Sequence, residues 1–271
     1  MSGDLCRLYD EAGFLVYEGM MVGDLRHGKG KKFVPSKFDA GRPIVAYEGS
    51  WEENVYGGGS GRLFDCTGYL LYVGSFEKGL KSGVGKMYHP GSGCMKYSGS
   101  FVNDGPDGDL CQIYHDNSNL KYLGQMRNGQ KHGQGQQFYN NNNKKYQGEF
   151  LDGKRHGTNC TVYYLNLNKM YVGPLERGQR IGKGKLHHNN GVLKYDGEFT
   201  SDKPEGEKCS LYHPNGRLEY SGPLAGGLKY GFGKELYENG YLHYEGDFRK
   251  NGPHGEECYL YHPNGFIDES G

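Results

Sequence analysis

A tyrosine that opens a Tyr-x-Gly triplet recurs ten times along the chain, at Tyr17, Tyr47, Tyr72, Tyr97, Tyr122, Tyr146, Tyr171, Tyr195, Tyr220 and Tyr244. The first step is 30 residues long, and every later step is 24 or 25. Four positions after each tyrosine stands an apolar residue: Met21, Trp51, Phe76, Phe101, Met126, Phe150, Leu175, Phe199, Leu224 and Phe248. Seven positions after it only Gly, Asp or Asn occurs, and eleven after it always Gly, from Gly28 to Gly255. A fixed period of this length is the mark of a repeat architecture, in which each unit stacks only on its neighbours.

The repeat has the period of strands. In Leu218–Leu224, residues 218, 220, 222 and 224 fall on one strand face, and Glu219 and Ser221 on the other. The glycine two after each tyrosine leaves room for a ring from the neighbouring strand to lie on bare backbone. The Gly/Asp/Asn position tolerates the positive φ of a tight reversal. A second turn shows as Asn190-Gly191, Asn215-Gly216, Asn239-Gly240 and Asn264-Gly265, the dipeptide expected in two-residue hairpin loops. Each unit therefore reads as two short antiparallel strands and two turns. The expected fold is all-β: one elongated, twisted antiparallel sheet of about ten stacked hairpins over residues 1–271. Half-repeats stand at both ends (5–16 and 266–271), and a proline-flanked surface loop is inserted at 34–43. No linker divides the chain, and the bare outer edges invite pairing with a second copy.

Composition agrees. With 24 Tyr, 12 Phe and 48 Gly, but only 35% hydrophobic residues, burial must come from rings more than from aliphatic chains. Lys+Arg and Asp+Glu both number 32, and this balance argues against nucleic-acid binding through phosphate contacts. No apolar run approaches the length of a bilayer span. The opening residues, Met1 to Cys6, show no signal-peptide pattern. Seven cysteines, an odd number with no paired pattern, suit a reducing, cytoplasmic setting.

The pattern resembles the MORN (membrane occupation and recognition nexus) repeat family, whose Tyr-x-Gly-x-aromatic-x-x-Gly-x-x-x-Gly-x-Gly signature is followed well at 72–85 and 122–135. The stretch 211–220, Leu-Tyr-His-Pro-Asn-Gly-Arg-Leu-Glu-Tyr, is similar to the related repeat of YwqK-type antitoxins. The resemblance covers about residues 5–271. It implies a non-catalytic module in cytoskeletal, ciliary or membrane-adjacent assemblies. The copies also alternate. The second Gly of the Gly-x-Gly pair is kept at Gly30, Gly85, Gly135, Gly184 and Gly233, and replaced between them by Ser60, Leu110, Asn159, Lys208 and Glu257. Cys111, Cys160, Cys209 and Cys258 follow a 49-residue rhythm.

Candidate chemistry is sparse. Cys111/His115, Cys209/His213 and Cys258/His262 have spacing i to i+4, about 13 Å along a strand, too far for one zinc ion; the cysteines read as buried fillers. Gly23–Lys29 matches part of a phosphate loop, but Gly30 stands where Ser or Thr would hold Mg²⁺. Asn159-Cys-Thr161 is a formal glycosylation acceptor. His27, His132, His156 and His254 recur before the turn glycine, as local hydrogen-bonding residues would. No nucleophile, base and orienter share one segment, so no catalytic residue, metal or cofactor is expected.

The expected function is a protein-interaction scaffold. It would present Tyr72, Phe76, Tyr97, Phe101, Tyr122, Tyr146, Phe150, Tyr171, Tyr195, Phe199, Tyr220, Tyr244 and Phe248 as an aromatic-lined groove for a helix or extended peptide. A second reading is binding to anionic phospholipid or phosphoinositide head groups through Lys29, Lys31 and Lys32 and through Lys144, Lys145, Lys154 and Arg155. A third is a regulatory, antitoxin-like module for an enzyme on another chain.

Overall fold

In a computed structural model, residues 4–36, 38–39 and 41–267 are described. They form 24 strands and no helix, in an open antiparallel meander. The chain divides into two units, residues 1–133 with 140–142, and residues 134–139 with 143–271. In the first unit the pairing runs in sequence order, from Asp4–Tyr9 against Leu15–Val22, through Leu25–Pro35 and Pro43–Glu52, to Gly108–Tyr114 against Leu120–Arg127. In the second, Lys144–Leu151 pairs with Lys154–Tyr163, and the succession continues to Leu242–Arg249 against Gly252–Leu260. The expected class of stacked β-hairpin repeats is what forms.

Why the tyrosine cannot be another residue is visible in its hydroxyl. In all ten copies it donates to the carbonyl three residues on, for example Tyr47 to Ser50 at 2.7 Å and Tyr122 to Gln125 at 2.6 Å. The strand register breaks beside that carbonyl. Gly19, Gly49 and Gly74 are paired, as are Met21, Trp51 and Phe76, while the residue between is passed over. A bulge frees a backbone group that burial would penalise, and the phenol satisfies it. A phenylalanine would leave it orphaned.

The ring reaches that carbonyl by folding over its own strand, which corrects the expected source of the ring. Tyr72 lies on Gly74 two residues ahead, and on Gly85 of the return strand paired with it. A Cβ on Gly85 would stand 2.6 Å from Tyr72 Cε2. The two glycines are matched because one ring covers both.

In nine of the ten hairpins the first turn has two successive left-handed residues, the type I′ form, and in the first hairpin only Gly23, at φ 58, is left-handed. Glu53 and Asn54 have φ 46 and 71, Ser201 and Asp202 48 and 72, and Lys250 and Asn251 53 and 71. The position seven after the tyrosine was legible; the one before it, filled by Glu, Lys, Arg, Asn, Asp, Ser or Gly, was not. Where position seven is Asn54, Asp104, Asp202 or Asn251, its side chain accepts the backbone N–H of Arg26, Lys81, Arg180 or Lys229 in the preceding copy. Where the preceding residue is Pro106 or Pro204, which has no N–H, the turn residue is Gly129 or Gly227, whose own N–H donates to the proline carbonyl.

The second turn differs from the two-residue loop expected of Asn-Gly. Gly191 N donates to His188 O, and His188 N to Val192 O, so the loop has three residues and only the last, Gly191 at φ 88, is left-handed. The asparagine is used otherwise. Asn190, Asn215 and Asn239 donate through Nδ2 to the carbonyls of Pro214, Glu238 and Pro263 in the next turn. The inserted segment also differs: Val34, Pro35 and Pro43 lie in the strands, with Pro35 opposite Pro43, which leaves only 36–42 as loop, with residues 37 and 40 outside the described set. At the far end Ile267 bridges to Tyr261, and residues 268–271 lie outside the description.

The alternation of copies is a change of register. Cys111 and Cys160, not Leu110 and Asn159, pair with Gly124 and Gly173. One extra residue in the return strand shifts the cysteine into the place that glycine holds elsewhere. Leu110 is accordingly 80% exposed and Cys111 fully buried.

Gly85→Ala should cost about 2–4 kcal/mol in urea unfolding, because ring and backbone both block the methyl group. Gly252→Ala, whose Cβ meets nothing closer than Arg249 O at 3.7 Å, should change stability by less than about 0.5 kcal/mol. Equal effects would contradict the account of the paired glycines.

Candidate functional site: an aromatic ladder capped by cations

The rings of successive hairpins interlock edge to face, with centroids 4.8–5.4 Å apart. In the first unit Trp51 sits between Tyr17 and Tyr47, Phe76 between Tyr47 and Tyr72, and Phe101 between Tyr72 and Tyr97. In the second unit Phe199 joins Tyr171 to Tyr195, and Phe248 joins Tyr220 to Tyr244. Perpendicular rings bring a positive edge to a negative face, worth about 0.5–1.5 kcal/mol per pair beyond burial. The thirteen rings expected to line an open groove are each at most 4% exposed. They are the core of the sheet; a molecule approaching this face meets what covers them.

That cover lies nine residues after each tyrosine, a position the sequence reading passed over although its pattern was available. Arg26 stands over Tyr17 and Trp51, Lys81 over Tyr72, and Lys131 over Tyr122. In the second unit Arg155 lies 4.7 Å from the Tyr146 centroid, Arg180 covers Tyr171 and Phe199, and Lys229 covers Tyr220 and Phe248. Tyr56 takes the place in the second copy, stacked on Tyr47 at 3.9 Å. Pro106, Pro204 and Pro253 take it in three others. A cation over a ring face is favourable by about 0.5–2 kcal/mol, the larger figure when desolvated. Several of these charges are answered locally: Lys81 by Asp104, Arg180 by Asp202, and Lys229 by Glu235.

The buried cysteines are part of the same layer. Tyr97 and Tyr146 hydroxyls lie 2.9 and 3.1 Å from Cys111 and Cys160 Sγ, and each thiol donates to a bulge carbonyl, Gly108 or His156. His213 bonds the Leu236 carbonyl through Nε2. The Cys258 side chain lies outside the described residues.

The two lysine clusters fare differently. Along Leu25–Pro35 the side chains alternate, so Lys32 sits beside Tyr17 and Tyr47 in the register, while Lys29 bonds Ser50 Oγ and Lys31 pairs with Glu48 at 3.4 Å. Lys29 and Lys31 border an open hollow of about 600 Å³ that is floored by Gly19, Gly30, Gly49 and Gly61. The cluster is thus split between faces. In the other, Lys144 reaches Gln147, Lys145 lies over Tyr139, Arg155 over Tyr146, and Lys154 occupies an exposed turn end.

Burial pushes the Tyr72, Tyr171 and Tyr220 phenols from 10.0 up to about 12, and Tyr47, Tyr122 and Tyr146 higher still. A phenol whose folded pKa is raised gives stability that is full below the unfolded value and lost as pH rises through the folded one. The fold should hold to about pH 10 and be lost cooperatively as pH passes about 12. A base titration followed by tyrosinate absorbance and circular dichroism should show exposed phenols ionising first, and the core set only as strand signal disappears. Ionisation of all tyrosines in one step near pH 10 with the sheet intact would contradict this.

The family model described as MORN repeat matches residues 17–33, 72–94, 122–144, 146–158 and 195–207. No curated protein matches the chain. The matched segments contain the tyrosine, the glycine two residues after it and the first turn of the hairpin, and the intervening hairpins follow the same plan. The chain contains MORN repeats, matched at five places along its length.

Proposed function

We propose that this chain is a non-catalytic scaffold that holds a segment of a partner protein along the capped aromatic face. MORN repeats form a non-catalytic repeat family generally involved in protein or membrane interactions. The observation that carries the protein reading is the row of cations, prolines and one tyrosine at position nine. Such a row offers a partner charge, flat apolar surface and a regular step along each unit. An extended or helical segment could contact one such residue per hairpin.

Anionic phospholipid binding has less support, because Lys29 and Lys31 are separated from Lys32 by the sheet and Lys31 is already paired. No helix among the described residues is long and apolar enough to cross a membrane. A cytoskeletal, ciliary or membrane-adjacent assembly is the setting that the resemblance favours.

Cross-linking mass spectrometry in cells tests the reading. Partner cross-links should concentrate at Lys81 and Lys131 rather than at Lys86 and Lys185 on the opposite face. A preference for the opposite face, or sedimentation with anionic vesicles that falls steeply with salt while no protein is cross-linked, would contradict it.

A further inference from the structure

In a repeat protein the shared residues build the unit, so departures from the pattern are where a specific contact is written. Three departures meet at the junction of the first two hairpins. Trp51 is the chain's one tryptophan. Tyr56 replaces the cation or proline of position nine. Lys32 lies opposite Tyr17 and Tyr47 in the register, where other copies carry Leu63, Met87, Ile113, Val162, Leu186 or Leu211.

These residues, with Arg26, Asn54 and Val55, line a cavity of about 210 Å³. Two of the side chains that line it each carry a buried donor without an acceptor among the described residues, the Trp51 indole Nε1–H and the Arg26 Nε–H. Trp51 is 3% exposed. Neither Arg26 nor Lys32 forms an ion pair among the described residues, and no acid lines the cavity. Buried donors and unanswered charges of one sign are costly unless something of the opposite sign satisfies them.

The second unit shows the same departure in its closed form. Glu235 occupies the register position equivalent to Lys32, opposite Tyr220 and Tyr244. Lys229 and His243 of the same chain answer it. At Lys32 the chain supplies two cations and no anion.

We propose that this cavity receives the carboxylate side chain of a Glu or Asp residue from an extended partner segment. The inference rests on the protein-scaffold reading and names the chemistry of one contact within it. About 210 Å³ corresponds to the liquid volume of roughly seven waters at about 30 Å³ each, ample for a short acidic side chain. The guanidinium of Arg26, which lines the cavity, matches a planar carboxylate. Lys32 adds a point charge, and the faces of Trp51 and Tyr56 pack the methylene stem.

Trp51 reports on its own site. The full chain is titrated with acetylated hexaglutamate amide, and in parallel with the hexaglutamine peptide and with inorganic phosphate, following tryptophan emission. Hexaglutamate should give a saturable change that hexaglutamine does not. Arg26→Gln and Lys32→Leu should each weaken binding at least tenfold. Lys32→Leu should keep the fold, since Leu63, Leu186 and Leu211 hold that register position, and Arg180→Gln in the other unit should leave the titration unchanged. The proposal is overturned if hexaglutamate gives no saturable change, if both peptides respond alike, if Lys32→Leu binds as the unaltered chain does, or if phosphate alone binds. Any of these results would leave the scaffold reading to be judged by where partner cross-links fall.

Discussion

The bond from each tyrosine hydroxyl to the carbonyl three residues ahead is the constraint on which the rest of the array depends. It fixes the ring flat over its own strand, and this excludes a Cβ both two residues on and on the paired return strand. It satisfies a carbonyl left beside a break in register. With the ring so placed, its edge and face are set for the aromatic residues of its own and the next hairpin. Each bond adds only about 1 kcal/mol net, but an orphaned carbonyl in that layer would cost more than the bond contributes.

Much of this was legible because strand alternation and turn chemistry act locally. Tyr72, Gly74 and Phe76 share a face by parity alone, and the left-handed turn residue betrays itself as Gly, Asp or Asn. What lay hidden depends on which strand a side chain leans along and on register. Sequence spacing could not say that Tyr72 covers its own Gly74. Nor could it say that Cys111, rather than Leu110, takes the glycine's place, since one extra residue reverses every later side chain. The asparagine of Asn190-Gly191 looked like half of a two-residue turn, and it proves to be a tie to Pro214 one hairpin away.

The aromatic set was legible in the sequence, but its exposure was not: residues expected to line an open groove lie in the core. Within each unit these aromatic residues, interspersed with Met126, Leu175 and Leu224, are buried to 4% or less, which makes them a floor under other groups. The covering row at position nine mixes Arg, Lys, Pro and Tyr, and a motif that asks for one residue type passes over it. At four of the six cations, Arg26, Lys81, Arg180 and Lys229, the backbone N–H is accepted by the turn side chain of the next copy, Asn54, Asp104, Asp202 or Asn251. The array is therefore a fold in which the repeat settles the core, and the few irregular positions carry what distinguishes this chain.

Proton NMR of the tyrosine hydroxyls tests the central claim most directly. The account predicts slowly exchanging hydroxyl protons from the ten repeat tyrosines, each showing a through-space contact to the residue three ahead, while the exposed hydroxyls of Tyr9, Tyr69 and Tyr241 exchange with solvent too fast to be seen. Rapid exchange at the repeat tyrosines in the folded protein would contradict it.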